Sequence, residues 1–186
     1  MRSQFFDGFD FAEYKFSIVA VEHVDEFFNI EQYGLHPVIY DESCLRGYAC
    51  IFGFTEDKHL ALHKLFTNNN GRPAPSIDGV EPVPFHSPAG DLRYDLELAI
   101  PYSGSILIAN GFIQKYFVPF GFQIPHAFKK VYELTFDEGL FVRVEDRSEA
   151  ARQLRIEYKE PLPPEKKLQL RVAHWFNKPE EYGFDD

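Results

Sequence analysis

The sequence predicts a mainly β fold, and three observations support this prediction. Aromatic residues make up 17% of the 186-residue chain, and their stiff rings fit pleated sheets better than helices. Several segments of strand length alternate apolar and polar residues. Glycine, proline and asparagine separate these segments, as they do in turns. We expect an antiparallel sandwich or a strongly curved partial barrel with a few short helices, with an α+β arrangement as the alternative.

The N-terminal elements follow from short patterns. Residues 14–22 form an apolar run of strand length. Residues 24–32 predict one or two helical turns, which Gly34 ends. Residues 36–40 then resume an extended pattern after Pro37. The chain therefore begins with a strand, a short helix and an extended segment.

Residues 47–66 predict a β-hairpin. Two apolar segments flank the polar group at residues 55–58, which has the length of a four-residue hairpin loop. A helix capped by Thr55 is the alternative, because Leu62 and Leu65 are also spaced as on a helix face. We prefer the hairpin because the preceding apolar segment needs a strand partner.

Residues 67–90 predict one long surface loop within a single domain that spans residues 1–186. Proline, glycine and asparagine are too frequent here for a regular helix or a central strand. Loops of this length are usually functional or disordered. The apolar residues Val80, Val83 and Phe85 suggest that part of the loop docks onto the domain, although the sequence leaves open whether it is ordered.

Three strands are predicted in the middle of the chain. Residues 92–100 alternate cleanly and predict a half-exposed strand. Residues 105–109 contain an apolar run without a polar face, which is typical of a central strand. Residues 115–123 predict an aromatic edge strand that Pro119 and Gly121 interrupt.

The C-terminal third predicts a hairpin and a helix. Residues 131–136 and 140–145 alternate on either side of a turn in which Gly139 supplies a left-handed backbone conformation. Ser148 is a candidate N-cap for a short helix with an apolar stripe of Ala151, Leu154 and Tyr158. Residues 167–176 fit a terminal strand and a helix equally well.

Charge limits the classes of partner. The net charge of −10 excludes recognition of the phosphate backbone of nucleic acids, which needs clustered Lys and Arg. The acidity agrees with simple solubility or with attraction to a basic protein. No window approaches the ~20 apolar residues of a membrane span, and the N-terminus lacks the apolar core of a signal peptide. We therefore predict a cytoplasmic protein that binds neither nucleic acid nor membranes.

Cysteine and histidine provide no clear reactive or metal site. Cys44 and Cys50 offer neither a disulfide framework nor a metal quartet, and we expect both thiols to be reduced and buried. His59 and His63 share one side of the predicted strand, but zinc catalysis needs a third protein ligand. We expect these to be exposed sheet histidines, and we predict no metal and no cofactor, although the sequence does not settle whether they bind a metal ion.

Two other arrangements resemble catalytic groups but favour structural roles. The Ser-Gly-Ser turn at residues 103–105 lacks the five-residue G-x-S-x-G elbow of a serine nucleophile. Asp95 and Glu97 lie on one strand face, where Arg93 offers a charge partner. We expect turn-fixing serines and a solvated polar face.

A set of polar residues near predicted strand ends is the best candidate for a ligand site. These residues lie among Phe and Tyr side chains, and a concave ligand site needs such apolar walls with a few orienting hydrogen bonds. His126 could transfer a proton near neutral pH. The candidate ligand-binding residues are Arg46, Tyr48, Tyr102, Gln123, His126 and Glu133.

The chain also resembles a known group of proteins over residues 45–139. The similar segments are LRGYACIFGF, a following Asp-Lys turn, IPYSGSILIANGFI and YFVPFGFQIPHAFKKVYELTFDEG. Comparable segments occur in the same order in a group of small uncharacterised bacterial proteins that share a domain of unknown function. This resemblance implies a shared fold and assigns no catalytic role to any residue.

The sequence favours a non-enzymatic binding or interaction protein. Reactive groups are sparse, whereas aromatic residues and acidic charge are plentiful. One form would be an acidic inhibitor or immunity-type partner of a basic protein. The alternative is a small-ligand-binding or hydrolytic domain with its pocket near Arg46, Tyr102, Gln123 and His126. The sequence leaves the oligomeric state open.

Overall fold

The computed structural model describes residues 3–119 and 122–158. In order along the chain, the strands and α-helices of these residues are β1 (Gly8–Phe11), β2 (Tyr14–Val21), α1 (Val24–Phe27), β3 (Tyr48–Phe54), β4 (Leu60–Thr67), β5 (Val83–Ser87), β6 (Gly90–Ala99), β7 (Gly104–Phe112), β8 (Phe128–Asp137), β9 (Leu140–Asp146) and α2 (Ser148–Glu157). Short 3-10 helices occupy Ile30–Tyr33, Gln114–Tyr116 and Pro125–Ala127. The predicted strand or helix at residues 167–176 lies outside the described residues.

The nine strands form one sheet, which confirms the predicted mainly β class with a few short helices. Their order is β5-β6-β4-β3-β1-β2-β7-β8-β9, and the sheet does not close on itself. Neighbouring strands are antiparallel except β1 and β3, which run parallel with Gly8 opposite Ile51 and Phe9 opposite Phe52. The sheet is therefore mixed and not purely antiparallel. Strand β1 is four residues long and begins with glycine, so its pattern is too short to predict it.

Both predicted hairpins are confirmed. Strands β3 and β4 pair antiparallel on either side of the turn at residues 55–59, so the helix alternative for this segment is wrong. Strands β8 and β9 pair antiparallel around Glu138 and Gly139. The helix α2 is also present, but its first residue is Ser148 and its N-cap is Arg147. The Ser148 hydroxyl accepts a hydrogen bond from the Val131 N–H at 3.1 Å and does not cap the helix.

Two predicted extended segments do not form strands, because amide side chains take the place of strand partners. The described residues of the segment 115–123, which are 115–119 and 122–123, contain the end of the 3-10 helix Gln114–Tyr116 and no strand. The Gln123 side chain accepts from the Val118 N–H and donates to the Val118 carbonyl, both at 2.7 Å. Residues 36–40 likewise contain no strand. There, the Asn68 side chain bonds the N–H of Val38 at 3.1 Å and its carbonyl at 2.9 Å.

The segment predicted as one long loop contains regular structure. Thr67 still belongs to β4, and Gly90 already belongs to β6. Strand β5 forms the edge of the sheet beside β6 and contains Pro84. Proline is tolerated at an edge because an edge strand leaves one row of N–H groups unpaired. Asn68 and Asn69 are buried rather than exposed.

The inner face of the sheet carries the larger hydrophobic core. Alternate residues of the central strands point into it, as Ile106 and Ile108 of β7 do, and both are fully buried. Helix α1 contributes Phe27, whose ring lies 4.8 Å from that of Phe52. Leu35 and Ile77 from the connecting segments also join this core. Aromatic rings fill the inner face, as the composition predicts.

The outer face carries a second core under helix α2. The outward-facing residues Leu107 of β7 and Val131 of β8 pack against Ala151 and Leu154 of the helix. Tyr158 packs at the border of this cluster, so the predicted apolar stripe of the helix is confirmed. We call this group the outer cluster. No helix of the described residues is long and apolar enough to cross a bilayer.

The sheet curls so that two distant turns meet at one end. His59 forms an isolated antiparallel bridge with Leu140. The Leu60 N–H donates to the Gly139 carbonyl at 2.7 Å, and the Phe141 N–H donates to the Lys58 carbonyl at 3.0 Å. These bonds join the β3–β4 turn to the β8–β9 turn, although the sheet as a whole stays open.

Candidate functional site

A cavity of about 380 Å³ lies on the outer face of the sheet, beside β1, β3 and β4. This volume falls in the range of small-molecule pockets, roughly 300–1,000 Å³. Its lining is almost entirely apolar and comes from four separate parts of the chain. The lining residues are Phe5, Phe6, Gly8, Cys44, Ala49, Cys50, Ile51, Phe66, Phe85, Ser87, Pro88 and Ala89.

Small residues leave the space and aromatic residues form its walls. Gly8, Ala49 and Ala89 have little or no side chain. The space above the sheet and beside the β5–β6 turn therefore stays empty at these three positions. Phe66 and Phe85 form one wall, with their ring centroids 5.4 Å apart. The cavity therefore results from small side chains beside large rings on the outer face of the sheet.

The segment before β1 forms the opposite wall and is held in place by hydrogen bonds. The Gln4 side chain donates to the Glu42 carbonyl and accepts from the Leu45 N–H, both at 2.9 Å. The Phe5 N–H donates to the Ser43 carbonyl at 3.1 Å. These bonds position Phe5 and the following Phe6 against the cavity.

An ion pair lies immediately beside the cavity. The Asp7 carboxylate accepts from the Cys50 N–H at 2.8 Å and from the Arg46 guanidinium. Arg46 also donates to the Tyr48 carbonyl at 2.9 Å, and its guanidinium carbon lies 4.3 Å from the centre of the Tyr48 ring. Burial opposes the charge of Arg46, but the Asp7 carboxylate outweighs this effect and raises the pKa of the guanidinium. Each charge is thus compensated by the other.

The two cysteines act as apolar parts of the wall. Both thiols are free and buried, as predicted. Burial raises the pKa of the Cys44 thiol and raises that of the Cys50 thiol well above its ordinary value. A reactive cysteine needs a lowered pKa, because the thiolate is the nucleophile. Both side chains therefore remain protonated near neutral pH and are poor nucleophiles.

The six residues predicted from the sequence do not form one site. Arg46 and Tyr48 are next to the cavity, although they do not line it. Tyr102 is fully buried in the inner core, whereas His126 is fully buried close to Tyr116 at the outer cluster. The sheet therefore lies between Tyr102 and His126, and the structure does not bring them together.

Tyr102 belongs to a buried polar group at the end of β7, whereas Glu133 lies within β8, opposite Leu107. The Tyr102 hydroxyl donates to the Glu22 carbonyl and lies 3.0 Å from the Ser105 carbonyl. The Glu22 carboxylate accepts from the Ser105 N–H at 3.0 Å. Glu133 lies 3.4 Å from the Arg147 guanidinium; burial raises the pKa of Glu133, and Arg147 opposes this effect. The contacts of Tyr102 and Glu22 thus fix the start of β7.

Gln123 and His126 hold the connection between β7 and β8. Gln123 binds both backbone groups of Val118 and donates to the Ser3 hydroxyl at 3.0 Å. The Arg155 guanidinium of α2 donates to the His126 carbonyl at 2.9 Å. These contacts of Gln123 and His126 are structural, and a ligand-binding role for the two residues stays a prediction.

The other sequence-derived candidates have ordinary environments. Asp95 forms ion pairs with Lys64 at 3.2 Å and with Arg93 at 3.0 Å, as expected for a solvated face. His59 and His63 are partly buried, so the prediction that both are exposed is wrong. Within residues 3–119 and 122–158, no group of three or more His, Cys, Asp or Glu side chains could hold a metal ion.

Sequence reasoning missed the cavity itself. Its walls come from residues 5–8, 44–51, 66 and 85–89, which only the folded sheet brings together. One signal was available, because Ala49 is a small residue at an outward-facing position of β3, two residues before the larger Ile51. A small side chain alone does not distinguish a cavity from a flat surface.

Comparisons with protein-family models, with curated proteins and with solved structures found no match for this chain.

Proposed function

We propose that the protein is a non-enzymatic binding protein whose outer cavity holds a small, uncharged, largely apolar molecule. The observation that carries this proposal is the cavity of about 380 Å³ with walls of Phe, Cys, Ala and Ile side chains. Apolar walls of this kind favour ligands that lose little hydration on entry.

The charges near the cavity support an uncharged ligand. Arg46 is paired with Asp7, and Arg93, which lies 4.9 Å above the Phe85 ring, is paired with Asp95. A charged ligand would lose its hydration in the cavity without gaining a counter-charge, which is costly. The protonated thiols offer no activated nucleophile, so binding agrees with the lining better than catalysis does.

We also propose a cytoplasmic location, which the two free thiols support.

The proposal predicts that filling the cavity abolishes binding of an apolar probe. We expect the uncharged dye N-phenylnaphthylamine to gain fluorescence on binding to the full chain. The substitution Ala49→Leu adds three carbon atoms at a cavity wall and should weaken dye binding by about tenfold or more, which is about 1.4 kcal/mol. Fluorescence titration gives the dissociation constants, and circular dichroism checks the fold of each variant.

A matched control distinguishes dye binding in the cavity from dye binding elsewhere on the surface. Ala99 is exposed on β6 and does not line the cavity, so Ala99→Leu should leave the dissociation constant unchanged. Equal binding by the wild type and the Ala49→Leu variant would show that the dye lies elsewhere and would overturn the cavity as its site.

A basic protein partner is a second candidate, which one further observation favours. The β3–β4 and β8–β9 turns meet at one end of the sheet, and the β1–β2 turn lies beside β3 at the same end. These turns carry exposed acids, namely Glu13, Glu56, Asp57, Asp137 and Glu138. The net charge of −10 would add long-range attraction to a basic surface. An acidic inhibitor or immunity-type protein would use such a surface.

The second candidate predicts salt-dependent association that depends on these turns. Binding to an immobilised lysine-rich peptide should slow with added salt more than its dissociation accelerates. Reversing Asp57 and Asp137 to lysine should slow association about tenfold, since charge mainly affects the on-rate. The control reverses Asp25 and Glu31, which are exposed outside these turns. Equal rates for the two double variants, or association that salt does not affect, would contradict this candidate.

A further inference from the structure

The apolar lining of the outer cavity contains one residue with a hydroxyl group. Among the described residues that form the walls, Ser87 of β5 is the only one whose side chain carries an oxygen atom. The others are Phe, Cys, Ala, Gly, Ile and Pro. Ser87 follows Phe85 by two residues, and both line the cavity, so Ser87 lies beside an aromatic wall. In an apolar pocket, a few polar groups fix the orientation of the ligand.

Hydrogen bonds hold the turn that carries Ser87. The Ala89 N–H donates to the Ser87 hydroxyl oxygen at 3.2 Å. The carbonyl of Ala89 accepts from the side-chain amide of Asn68 at 2.9 Å, and Asn68 is itself buried. Ser87 also pairs with Gly90 across the turn. The position of Ser87 is therefore fixed before a ligand enters, which lowers the entropic cost of binding.

The proton of the Ser87 hydroxyl makes a long hydrogen bond. It is donated to the Gly90 carbonyl, with the two oxygen atoms 3.4 Å apart. Hydrogen bonds of this type are usually about 2.7–2.8 Å long, so a ligand oxygen at that distance would be a better acceptor than Gly90. The Ser87 oxygen already accepts from Ala89, whereas its proton can turn towards a ligand. The group is thus better suited to donate to a ligand than to accept from one.

The neighbouring polar groups of the lining are engaged elsewhere. The Cys50 N–H donates to the Asp7 carboxylate at 2.8 Å. The Cys44 thiol donates to a backbone carbonyl at 3.3 Å. Pro88, which follows Ser87 in the turn, has no N–H group to donate. The Ser87 hydroxyl is therefore the best-placed donor for a molecule inside the cavity.

We propose that the ligand of the outer cavity carries one uncharged hydrogen-bond acceptor, such as a ketone or ester oxygen, on a flat apolar body, and that Ser87 donates to this acceptor. This inference rests on the proposed binding function of the cavity. The rings of Phe66 and Phe85 favour a flat body, because aromatic rings pack well against each other. Ser87 then selects among molecules of similar size, since a molecule without the acceptor forms only the apolar contacts.

A matched pair of probes tests this selection on the full chain. In 2-isopropenylnaphthalene, a CH₂ group replaces the carbonyl oxygen of 2-acetylnaphthalene, and the shape is nearly the same. Displacement of N-phenylnaphthylamine gives the dissociation constant of each probe. Ser87→Ala should weaken binding of 2-acetylnaphthalene by about five- to tenfold, the usual worth of one hydrogen bond. It should weaken binding of 2-isopropenylnaphthalene by less than about twofold, because this probe has no acceptor.

Two further variants separate loss of the hydroxyl group from a disturbed turn. Ser87→Thr keeps the hydroxyl group, so the ratio of the two dissociation constants should stay close to that of the wild type. Ser103→Ala is the matched control, because the Ser103 oxygen also accepts a backbone N–H, from Glu138 at 2.8 Å, but Ser103 does not line the cavity. This control should leave both dissociation constants unchanged.

The outcomes distinguish this inference from the proposed function of the cavity. If Ser87→Ala weakens both probes equally or neither of them, or if Ser87→Thr is as unselective as Ser87→Ala, the role of Ser87 is overturned. The cavity proposal then still stands, provided that Ala49→Leu weakens dye binding. If the wild type binds neither the dye nor the two naphthalenes, the cavity proposal fails, and the selection by Ser87 fails with it.

Discussion

Replacing Gly139 by valine is expected to lower the free energy of unfolding by about 3 kcal/mol or more, through backbone strain and a direct clash. Gly139 has φ +84°, a left-handed conformation that β-branched residues strongly disfavour. A β-carbon at this position would lie 2.6 Å from the Ile100 carbonyl oxygen. The Gly139 N–H and carbonyl bind Tyr102 and Leu60, so the turn cannot move without losing these bonds.

Chemical denaturation measures this effect, with two comparisons. Gly139→Ala should lose less stability than Gly139→Val, because alanine lacks the second branch at the β-carbon. Asp137→Val changes an exposed residue at the end of β8 and should lower stability by less than about 1 kcal/mol. An unchanged denaturation midpoint for Gly139→Val would contradict the left-handed turn.

Replacing Asn68 by alanine is expected to cost about 3 kcal/mol, because several buried backbone groups lose their partner. The Asn68 side chain is 4% exposed and accepts from the Val38 N–H at 3.1 Å. Its amide donates to the carbonyls of Val38 and Ala89, both at 2.9 Å. One side chain thus holds residues 36–40 and the β5–β6 turn against the end of β4.

The same denaturation experiment can show which hydrogen bonds matter most. Asn68→Asp keeps the accepting oxygen but replaces the donating amide by a second oxygen, which would face the carbonyls of Val38 and Ala89. The free energy of unfolding should therefore fall at least as much as in Asn68→Ala. Asn29→Ala is the control, since the exposed Asn29 side chain accepts one local bond from the Glu31 N–H. A loss below about 1 kcal/mol for Asn68→Ala would contradict the role of this side chain as a connector.

Alternation along the chain was sufficient to predict two hairpins whose strands are close in sequence. The β8–β9 hairpin follows from two alternating segments around Gly139. The β3–β4 hairpin follows in the same way from residues 47–66. A local turn determines which strands meet, so a periodic pattern and a turn residue contain nearly all the information that the pairing requires.

Elements that depend on distant side chains could not be predicted. Residues 36–40 and 115–123 have strand-like composition, but the amides of Asn68 and Gln123 satisfy backbone groups that a neighbouring strand would otherwise bind. No local pattern shows that Asn68 lies beside Val38. The same limit applies to β1, whose pairing with β3 crosses the helix α1 and a long connection.

The candidate site was predicted from polar residues, and this choice explains what was missed. Polar side chains at strand ends, such as Tyr102 and Gln123, also serve to bind free backbone groups, and here they make such contacts. The cavity depends instead on small residues at outward-facing positions, among them Gly8 and Ala49. Small residues have no distinctive chemistry, so only the fold shows that they border one space.

The parallel pairing of β1 with β3 also makes β1 a seam between two halves of the sheet. Strands β3 to β6 form one half, and β2 joins β7 to β9 in the other. The short β1 connects the two halves within the sheet, and the bonds between the β3–β4 and β8–β9 turns connect them at one end. The cavity lies beside this seam, with Phe6 and Gly8 from β1 and the segment before it, and Ile51 and Phe66 from β3 and β4. A bound molecule would therefore contact both β1 and β3, and part of its binding free energy would oppose the separation of these two strands.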